Sequence, residues 1–494
     1  TETQFSLLSS DVTNIDFKND VTSTRDFNIV NYMYFYDGAG VAAGDVNNDG
    51  LSDLFFVGNE VSNRLYLNQG DFAFEDVTEQ AGITDDDNAW STGVTMADVT
   101  GDGYLDIYVS RVNYLNKSGA NQFFVNNGDG TFTERAEEYG IDFEGYSTQS
   151  VFFDYNNDGR LDLFILNQSF HSERSYGPAD ILREEQDLKA GDRLFRNDGD
   201  TFTDVTLDAG IISSSLGYGL GVAISDIDLD GDADIYVGND FHEKDYLYIN
   251  NGDGTFTESL YDFIGHTSNA SMGNDIADLN NDGYPDIVSL DMMPDNHESF
   301  LRSGGPDLVV VEETKKNFGF GNKNARNTVQ IHGGQSPEGA PFFSEMAFTL
   351  GMARTDWSWA SLLADFDNSG TNDLFVTNGM VRRPNDLDYI RRVGNFRDRS
   401  TGDRTSVKEF ESIQFMPRIF TPNYFYSNNG DLSFSNTTAE KGLAQPTYSS
   451  GAVYSDLNND GLLDLVVNNV NMDSFIYRNS AERDSTRNFI QIRL

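Results

Sequence analysis

Short apolar runs bounded by polar turns recur along the whole chain. Leu54-Phe55-Phe56-Val57, Ile107-Tyr108-Val109, Leu163-Phe164-Ile165-Leu166, Ile235-Tyr236-Val237 and Leu465-Val466-Val467 are unbroken rather than alternating. A strand buried on both faces reads this way, whereas a half-exposed strand alternates with period two. Around each run the same neighbours return. In the first copy a strand at Gly40–Gly44 precedes it, Arg64-Leu65-Tyr66-Leu67-Asn68 follows it, and Phe74-Glu75-Asp76-Val77-Thr78 comes last. Tight hairpins join the last two strands, at Gln69-Gly70-Asp71, Asn127-Gly128-Asp129-Gly130, Asn197-Asp198-Gly199-Asp200, Asn251-Gly252-Asp253-Gly254 and Asn429-Gly430-Asp431. Asn and Gly supply the positive φ such turns require. The pattern predicts an all-β chain of seven four-stranded blades, a seven-bladed β-propeller, because only a blade wedged between two others buries both faces of its second strand. After Phe475–Tyr477 no outer strand follows, so residues 5–15 are expected to complete the last blade and close the ring within a domain spanning 1–480.

The turn between the first and second strands carries the chemistry. Seven copies place oxygen-bearing side chains at positions 1, 3, 5 and 9, with Gly at position 6. They are Asp45, Asn47, Asp49 and Asp53; Asp98, Thr100, Asp102 and Asp106; and Asp154, Asn156, Asp158 and Asp162. The fourth and fifth are Asp226, Asp228, Asp230 and Asp234, then Asp278, Asn280, Asp282 and Asp286. The last two are Asp365, Asp367, Ser369 and Asp373, then Asp456, Asn458, Asp460 and Asp464. Position 7 joins the ligand set through its backbone carbonyl: Leu51, Tyr104, Arg160, Asp232, Tyr284, Thr371 and Leu462. A hard cation takes six to eight oxygens at about 2.3–2.6 Å, and a loop turning at Gly wraps them round it. Up to seven calcium ions, one per blade, are therefore expected as structural staples. The second and sixth loops should bind most weakly, because Thr100-Gly101 and Ser369 interrupt the carboxylate pattern.

Composition sharpens this reading. The chain holds 46 Gly and 23 Tyr with only 38% hydrophobic residues, which suits a turn-rich β protein. With no Cys, disulfides, thiol chemistry and cysteine-type zinc sites are excluded. The formal charge of −47 makes nucleic acid an implausible partner. Seven calcium ions would offset only part of it. No apolar stretch approaches the ~18 residues of a membrane span.

A second regularity lies at the far end of the first strand. Gly38, Ser91, Ser147, Gly219, Ser271, Ser358 and Ser449 stand seven residues before each loop, where inner strands crowd the axis. One residue earlier stand Trp90, Tyr146, Tyr218, Trp357 and Tyr448, expected to ring the channel mouth opposite the loops. Three long insertions, roughly Asn167–Asp192, Leu290–Asn327 and Asn378–Asn423, fall between second and third strands and so open on that same face. Helices are expected at Ala179–Leu188 and Asp386–Val393. The third insertion is basic for so acidic a chain, with Arg382, Arg383, Arg391 and Arg392 as candidate partner contacts. Of the histidines, none shows a catalytic spacing. His332 stands where other blades have Asn, while His171, His242 and His297 lie in or near loops of the insertion face.

The Asp-x-Asn-x-Asp-Gly-x-x-Asp loops, the Asp-Leu-Phe and Asp-Ile-Tyr strands and the Asn-Asn-Gly-Asp-Gly-Thr-Phe hairpins together resemble the FG-GAP/VCBS repeat, which builds the seven-bladed propeller of integrin α-subunits. The segments Phe35–Asn59, Ser271–Pro294 and Thr355–Gly379, with its Thr-Asp-Trp-Ser-Trp-Ala run, resemble bacterial surface relatives of cartilage acidic protein. The resemblance implies a C-terminal domain of the ASPIC/UnbV type, of which residues 481–494 look like the start and Asn488–Leu494 the first strand. It also implies export to the bacterial cell surface or outer membrane, with a lipid anchor N-terminal to Thr1, beside transport or assembly complexes. The expected role is a non-enzymatic, calcium-stabilised module that binds other surface or outer-membrane proteins. A glycan-binding propeller, or a calcium-dependent polysaccharide lyase, is the alternative.

Overall fold

Seven four-stranded antiparallel sheets follow one another round a closed ring, each innermost strand packing on the next and the last on the first. The computed structural model describes residues 3–85, 88–170, 177–303, 309–336, 340–393 and 406–481. In the first blade Val41–Gly44, Asp53–Phe56, Arg64–Asn68 and Phe74–Asp76 run from axis to rim. The seventh comprises Ser449–Ser455, Asp464–Asn469, Phe475–Asn479 and, from the other end of the chain, Phe5–Leu7. There Phe5 pairs with Asn479 and Leu7 with Tyr477, and the chain then turns through a short helix, Ser10–Thr13.

The unbroken second strands are explained by what lies on either side of them. Phe55 and Val57 pack with Ile107, Val109 and Phe124 of the second blade. Their neighbours Leu54 and Phe56 pack with Val466 and Ile476 of the seventh. Alternate side chains thus belong to different inter-blade cores, so no position in the strand is free to be polar. Burying such a side chain contributes roughly 1.5–3 kcal/mol.

Crowding is met at the Ser/Gly positions read from sequence, where an added Cβ at Gly38 would run into Ser450 and at Gly219 into Leu166, and again two residues further along. Added Cβ atoms at Gly93 and Gly451 would approach the carbonyl oxygens of Thr148 and Ala39 to 2.6 Å. The Ser/Gly positions themselves mark where the innermost strand bulges out of register, as between Ser91 and Val94 or Ser449 and Ala452.

Each insertion leaves and re-enters its blade through one polar neck. The N–H groups of Asn167, Asp291 and Asn378 donate to the side chains of Asp192, Asn327 and Asn423 at 2.9, 2.7 and 2.9 Å. The insertions contain helices Ala179–Arg183, His297–Arg302, Val309–Asn317, Leu387–Val393 and Val407–Ser412. The two predicted from sequence are present in shortened form. The last begins with a capping box, Ser406 and Glu409 satisfying each other's backbone N–H. Insertions are also tied to one another. Ala179 N–H donates to Phe318 O at 2.6 Å, joining the first to the second, and Arg302 pairs with Asp386 at 3.0 Å, joining the second to the third.

A segment without blade structure, residues 20–37, caps the channel on the insertion side. Phe27, Ile29, Tyr32, Tyr34, Phe35 and Tyr36 are buried there, in one cluster with Trp90, Tyr218, Trp357 and with Met380, Ile413 and Met416 of the third insertion. This plug was not foreseen. Its signal was the run Tyr32-Met33-Tyr34-Phe35-Tyr36, aromatic far beyond need and outside every strand unit.

Candidate functional site

Each of the seven loops closes on its first aspartate. In the first, Asp45 accepts from Asp49 N–H at 3.0 Å and from Gly50 N–H at 2.9 Å, and the same pair of bonds recurs in all seven. Position 4 takes positive φ, Asn48 at 61°, which Asn tolerates. The position-9 aspartate is the buried anchor. Asp53 accepts from Val46 N–H at 3.0 Å within the loop and from Asn68 N–H at 2.8 Å on the third strand.

A ring of side-chain donors and a second, interrupted series of amides tie these loops to one another. At the end of each third strand an Asn side chain donates to the position-2 carbonyl of the preceding blade's loop. Asn68 reaches Leu457 O, Asn126 Val46 O and Asn250 Tyr155 O, all at 2.8 Å. In the fifth blade His332 takes the amide's place, its Nε2 3.2 Å from Ile227 O while its Nδ1 accepts from Gly334 N–H at 2.9 Å. A carbonyl only accepts, so the imidazole is neutral with its proton on Nε2. Burial lowers its pKa accordingly, and its ring stacks on Tyr284 at 4.8 Å. The second series uses position 4. Asn48, Asn368 and Asn459 donate to the Gly carbonyls of the next loops, Gly103, Gly461 and Gly50, each at 2.9 Å. Gly101 and Leu229 hold position 4 in the second and fourth loops and cannot make this bond.

The donor set fits a hard divalent cation. Carboxylate oxygens of Asp226, Asp228 and Asp234 lie within 4.8 Å of one another, a grouping suited to a metal ion. Asp228 Oδ1 and, in the sixth loop, Asp373 Oδ2 are buried without a hydrogen-bond partner. Burial pushes the position-9 carboxyls up to about 7 for Asp53, Asp162, Asp234, Asp286, Asp373 and Asp464, and to about 6 for Asp106. Backbone donors offset part of that rise and neighbouring loop carboxylates add to it. Crowded, dry carboxylates of this kind are relieved by a bound cation.

The loops are not equivalent. Thr100 Oγ1 is buried without a partner, and Ser369 Oγ is engaged with Thr371 Oγ1 at 2.9 Å. In the third loop the Arg160 guanidinium reaches Asp158 at 2.5 Å and Asn197 O at 2.7 Å, placing the protein's own cation on a candidate ligand. Sequence reasoning counted Arg160 only for its carbonyl and missed this competition.

On the opposite face the candidate residues divide. Trp90, Tyr218 and Trp357 are buried beneath the plug rather than ringing an open mouth. Trp90 meets Phe27 edge-on at 4.9 Å. Tyr146 packs on Phe170 at 4.5 Å and Tyr448 on Phe420 at 4.9 Å. Arg383 is internal, paired with Asp356 and facing Trp357 at 5.9 Å. Arg382 donates to the carbonyls of Gln414 and Met416, at 3.4 and 3.3 Å. Arg391 and Arg392 remain exposed, the latter over the Phe415 ring. His242 is buried against Phe320 at 4.8 Å while His297 is exposed at a helix start, so these two do not build a common site. His171 and Asn488–Leu494 lie outside the described residues. Among the described residues no helix is long and apolar enough to cross a membrane.

The repeat itself is matched among known families. A model of the FG-GAP-like repeat matches residues 45–109, 112–165 and 226–289. Cartilage acidic protein 1 of Xenopus tropicalis is 28% identical over 209 residues, covering 41% of this chain and 29% of that protein. The same protein of Mus musculus is 27% identical over 210 residues, with 41% and 29% covered. The chain thus spans less than a third of the length of these relatives. Among solved structures, BBS1N in complex with ARL6DN aligns with a TM-score of 0.42 at 9% identity, covering 94% of this chain and 97% of that one. The exotype rhamnogalacturonan lyase YesX gives 0.39 at 9% identity, covering 89% and 71%. The chain carries FG-GAP repeats on a seven-bladed propeller.

Proposed function

We propose that this propeller is a non-enzymatic, calcium-stapled module that docks another protein on its insertion face, within a cell-surface or outer-membrane assembly. The observation that carries the reading is where exposed apolar side chains stand. Of the six large apolar side chains at least 60% exposed among the described residues, Ile181, Leu188, Leu301, Val309 and Val310 lie in the insertions and only Leu207 lies elsewhere, after an outer strand, whereas the calcium loops contribute only Leu229 at 46%. Large apolar groups held at the surface of a tied, well-rooted platform suit a protein interface. The glycan reading loses support, because three of its five aromatics, Trp90, Tyr218 and Trp357, are buried. Placement at the outer membrane, and a lipid anchor, follow from the motif resemblance.

Purification from native membranes in calcium, with mass spectrometry of co-purifying chains, tests the docking reading. A partner present in stoichiometric amount should be lost in the double variant Leu301→Asp, Val310→Asp and kept in Leu229→Asp. Recovery of a monomer from the unaltered protein, or loss in both variants alike, would count against it.

A further inference from the structure

The seven loops do not carry the same charge. Five of them hold three carboxylates each and stand at −3. The fourth holds five, Asp226, Asp228, Asp230, Asp232 and Asp234, while the third offsets three carboxylates with Arg160 and stands at −2. Arg160 is the one basic residue in the nine positions of any loop; elsewhere position 7 is Leu, Tyr, Asp or Thr. The richest and the poorest loop are neighbours, and their joint is unlike the others. Asn157 donates to the Asp232 carboxylate at 2.5 Å, whereas at four other joints position 4 donates to the next loop's Gly carbonyl.

The Arg160 side chain is held where a loop ion would act. Its Nη2 donates to Asp158 Oδ2 at 2.5 Å and its Nε to Asn197 O at 2.7 Å. Asn197 ends the third strand, and its own N–H donates to Asp162 Oδ1 at 2.7 Å. One guanidinium thus ties position 5 of the loop to the strand that position 9 already anchors. Asp158 Oδ2 also accepts from Asn156 at 3.2 Å, so that oxygen has two donors before any ion arrives. An ion about 2.4 Å from it would stand no more than about 5 Å from the guanidinium nitrogen. At the effective permittivity of a protein surface, a double and a unit positive charge so close repel enough to lower affinity well over tenfold. A second guanidinium, Arg196, lies near Asp162 and pairs with Asp198 at 2.7 Å. The fourth loop is the opposite case, with carboxylate oxygens of Asp226, Asp228 and Asp234 within 4.8 Å of one another.

On the reading that the loops bind calcium, we propose that Arg160 takes the ion's place in the third. This blade is closed by its own guanidinium and stays free of calcium while its neighbours fill. The carboxylate pattern alone ranks the second and sixth loops weakest; the side-chain geometry puts the third below them. The first insertion springs from the second strand of this blade, Asp162–Asn167, so its root keeps its joint when calcium falls.

Hydrogen–deuterium exchange of the full chain, in chelator and at about 1 mM free calcium, where extracellular calcium modules fill, tests the assignment. In the unaltered protein calcium should slow exchange of 45–53 by roughly tenfold or more and change that of 154–162 by less than about twofold. Arg160→Leu, which gives the third loop the position-7 residue of the first, should let calcium slow 154–162 as it slows 45–53. Leu51→Arg should do the reverse and abolish the response of 45–53. Calcium protection of 154–162 in the unaltered protein equal to that of 45–53, or no gain in folded Arg160→Leu, would overturn the proposal. Should Arg160→Leu fail to fold, a full calcium response of 45–53 in Leu51→Arg would overturn it instead. No response in any loop of any of these proteins would overturn the calcium reading itself, and this proposal with it.

Discussion

The two faces of this ring are built on opposite principles. On the loop face, seven near-copies of one nine-residue turn are joined by amides that repeat from blade to blade. Its polar atoms point at each other, and almost nothing apolar is offered to solvent. On the insertion face no two segments are alike, the ties are individual ion pairs and backbone bonds, and apolar side chains stand exposed. Repetition serves closure, since a ring needs the same joint at every blade. Individuality serves recognition, since a partner needs one distinctive surface.

Metal removal should separate the faces most sharply. If each loop is saturated at one hundred times its dissociation constant, calcium contributes about 2.7 kcal/mol per site. Across several loops its removal should lower the melting temperature by on the order of ten degrees or more. The loss should depend on pH in a defined sense. Metal-free, the position-9 carboxyls sit at about 6 to 7, above their unfolded value of roughly 3.9. Their contribution is therefore fully present below about pH 4 and is lost as pH rises through 7, at about 1.4 kcal/mol per group per unit. Calcium, which needs the ionised form, should reverse that slope. Melting curves of calcium-free and calcium-loaded protein between pH 5 and 8 check both statements.

Next in size is the amide ring. Asn126 bonds Val46 O at 2.8 Å, Leu105 O at 3.1 Å and Gly128 N–H at 3.0 Å. Asn126→Ala should cost about 3 kcal/mol in denaturant unfolding, at roughly 1 kcal/mol for each bond. The insertion variants Leu301→Asp and Val310→Asp should change stability by less than about 0.5 kcal/mol in the same assay while abolishing docking. Equal destabilisation by both kinds of variant would erase the distinction between the faces.

Another small effect is expected of His332→Asn, which restores the amide found in the other blades. Its effect at pH 8 should stay within about 1 kcal/mol. The folded-state pKa of His332 is lowered by burial, so its contribution is full above the unfolded value of about 6.5 and is lost as pH falls below it. The variant should remove that part of the acid sensitivity.

Much of this was legible in the chain because repeats announce themselves. The loop positions, the doubly buried second strands and the location of the insertions all follow from local spacing. What stayed hidden was tertiary. Asn68, Asn126 and Asn250 recur visibly, yet that each bonds a carbonyl on the neighbouring blade depends on where that blade stands. The plug was hidden for a related reason, since Phe27 and Tyr32–Tyr36 have no period of their own and are explained only by the aromatics they cover. Those aromatics read as a ring round the channel mouth because nothing in their own strands shows what lies above them. Arg160 was overlooked since a position-7 residue was weighed by its backbone rather than its side chain.

Hydrogen–deuterium exchange with and without calcium tests the division of labour most directly. Calcium removal should speed exchange in peptides covering 45–53, 226–234 and 365–373 and at the third-strand ends they hold. Exchange in 179–183, 297–302 and 309–317 should stay unchanged. Unaltered loop exchange, or a response confined to the insertions, would contradict the account.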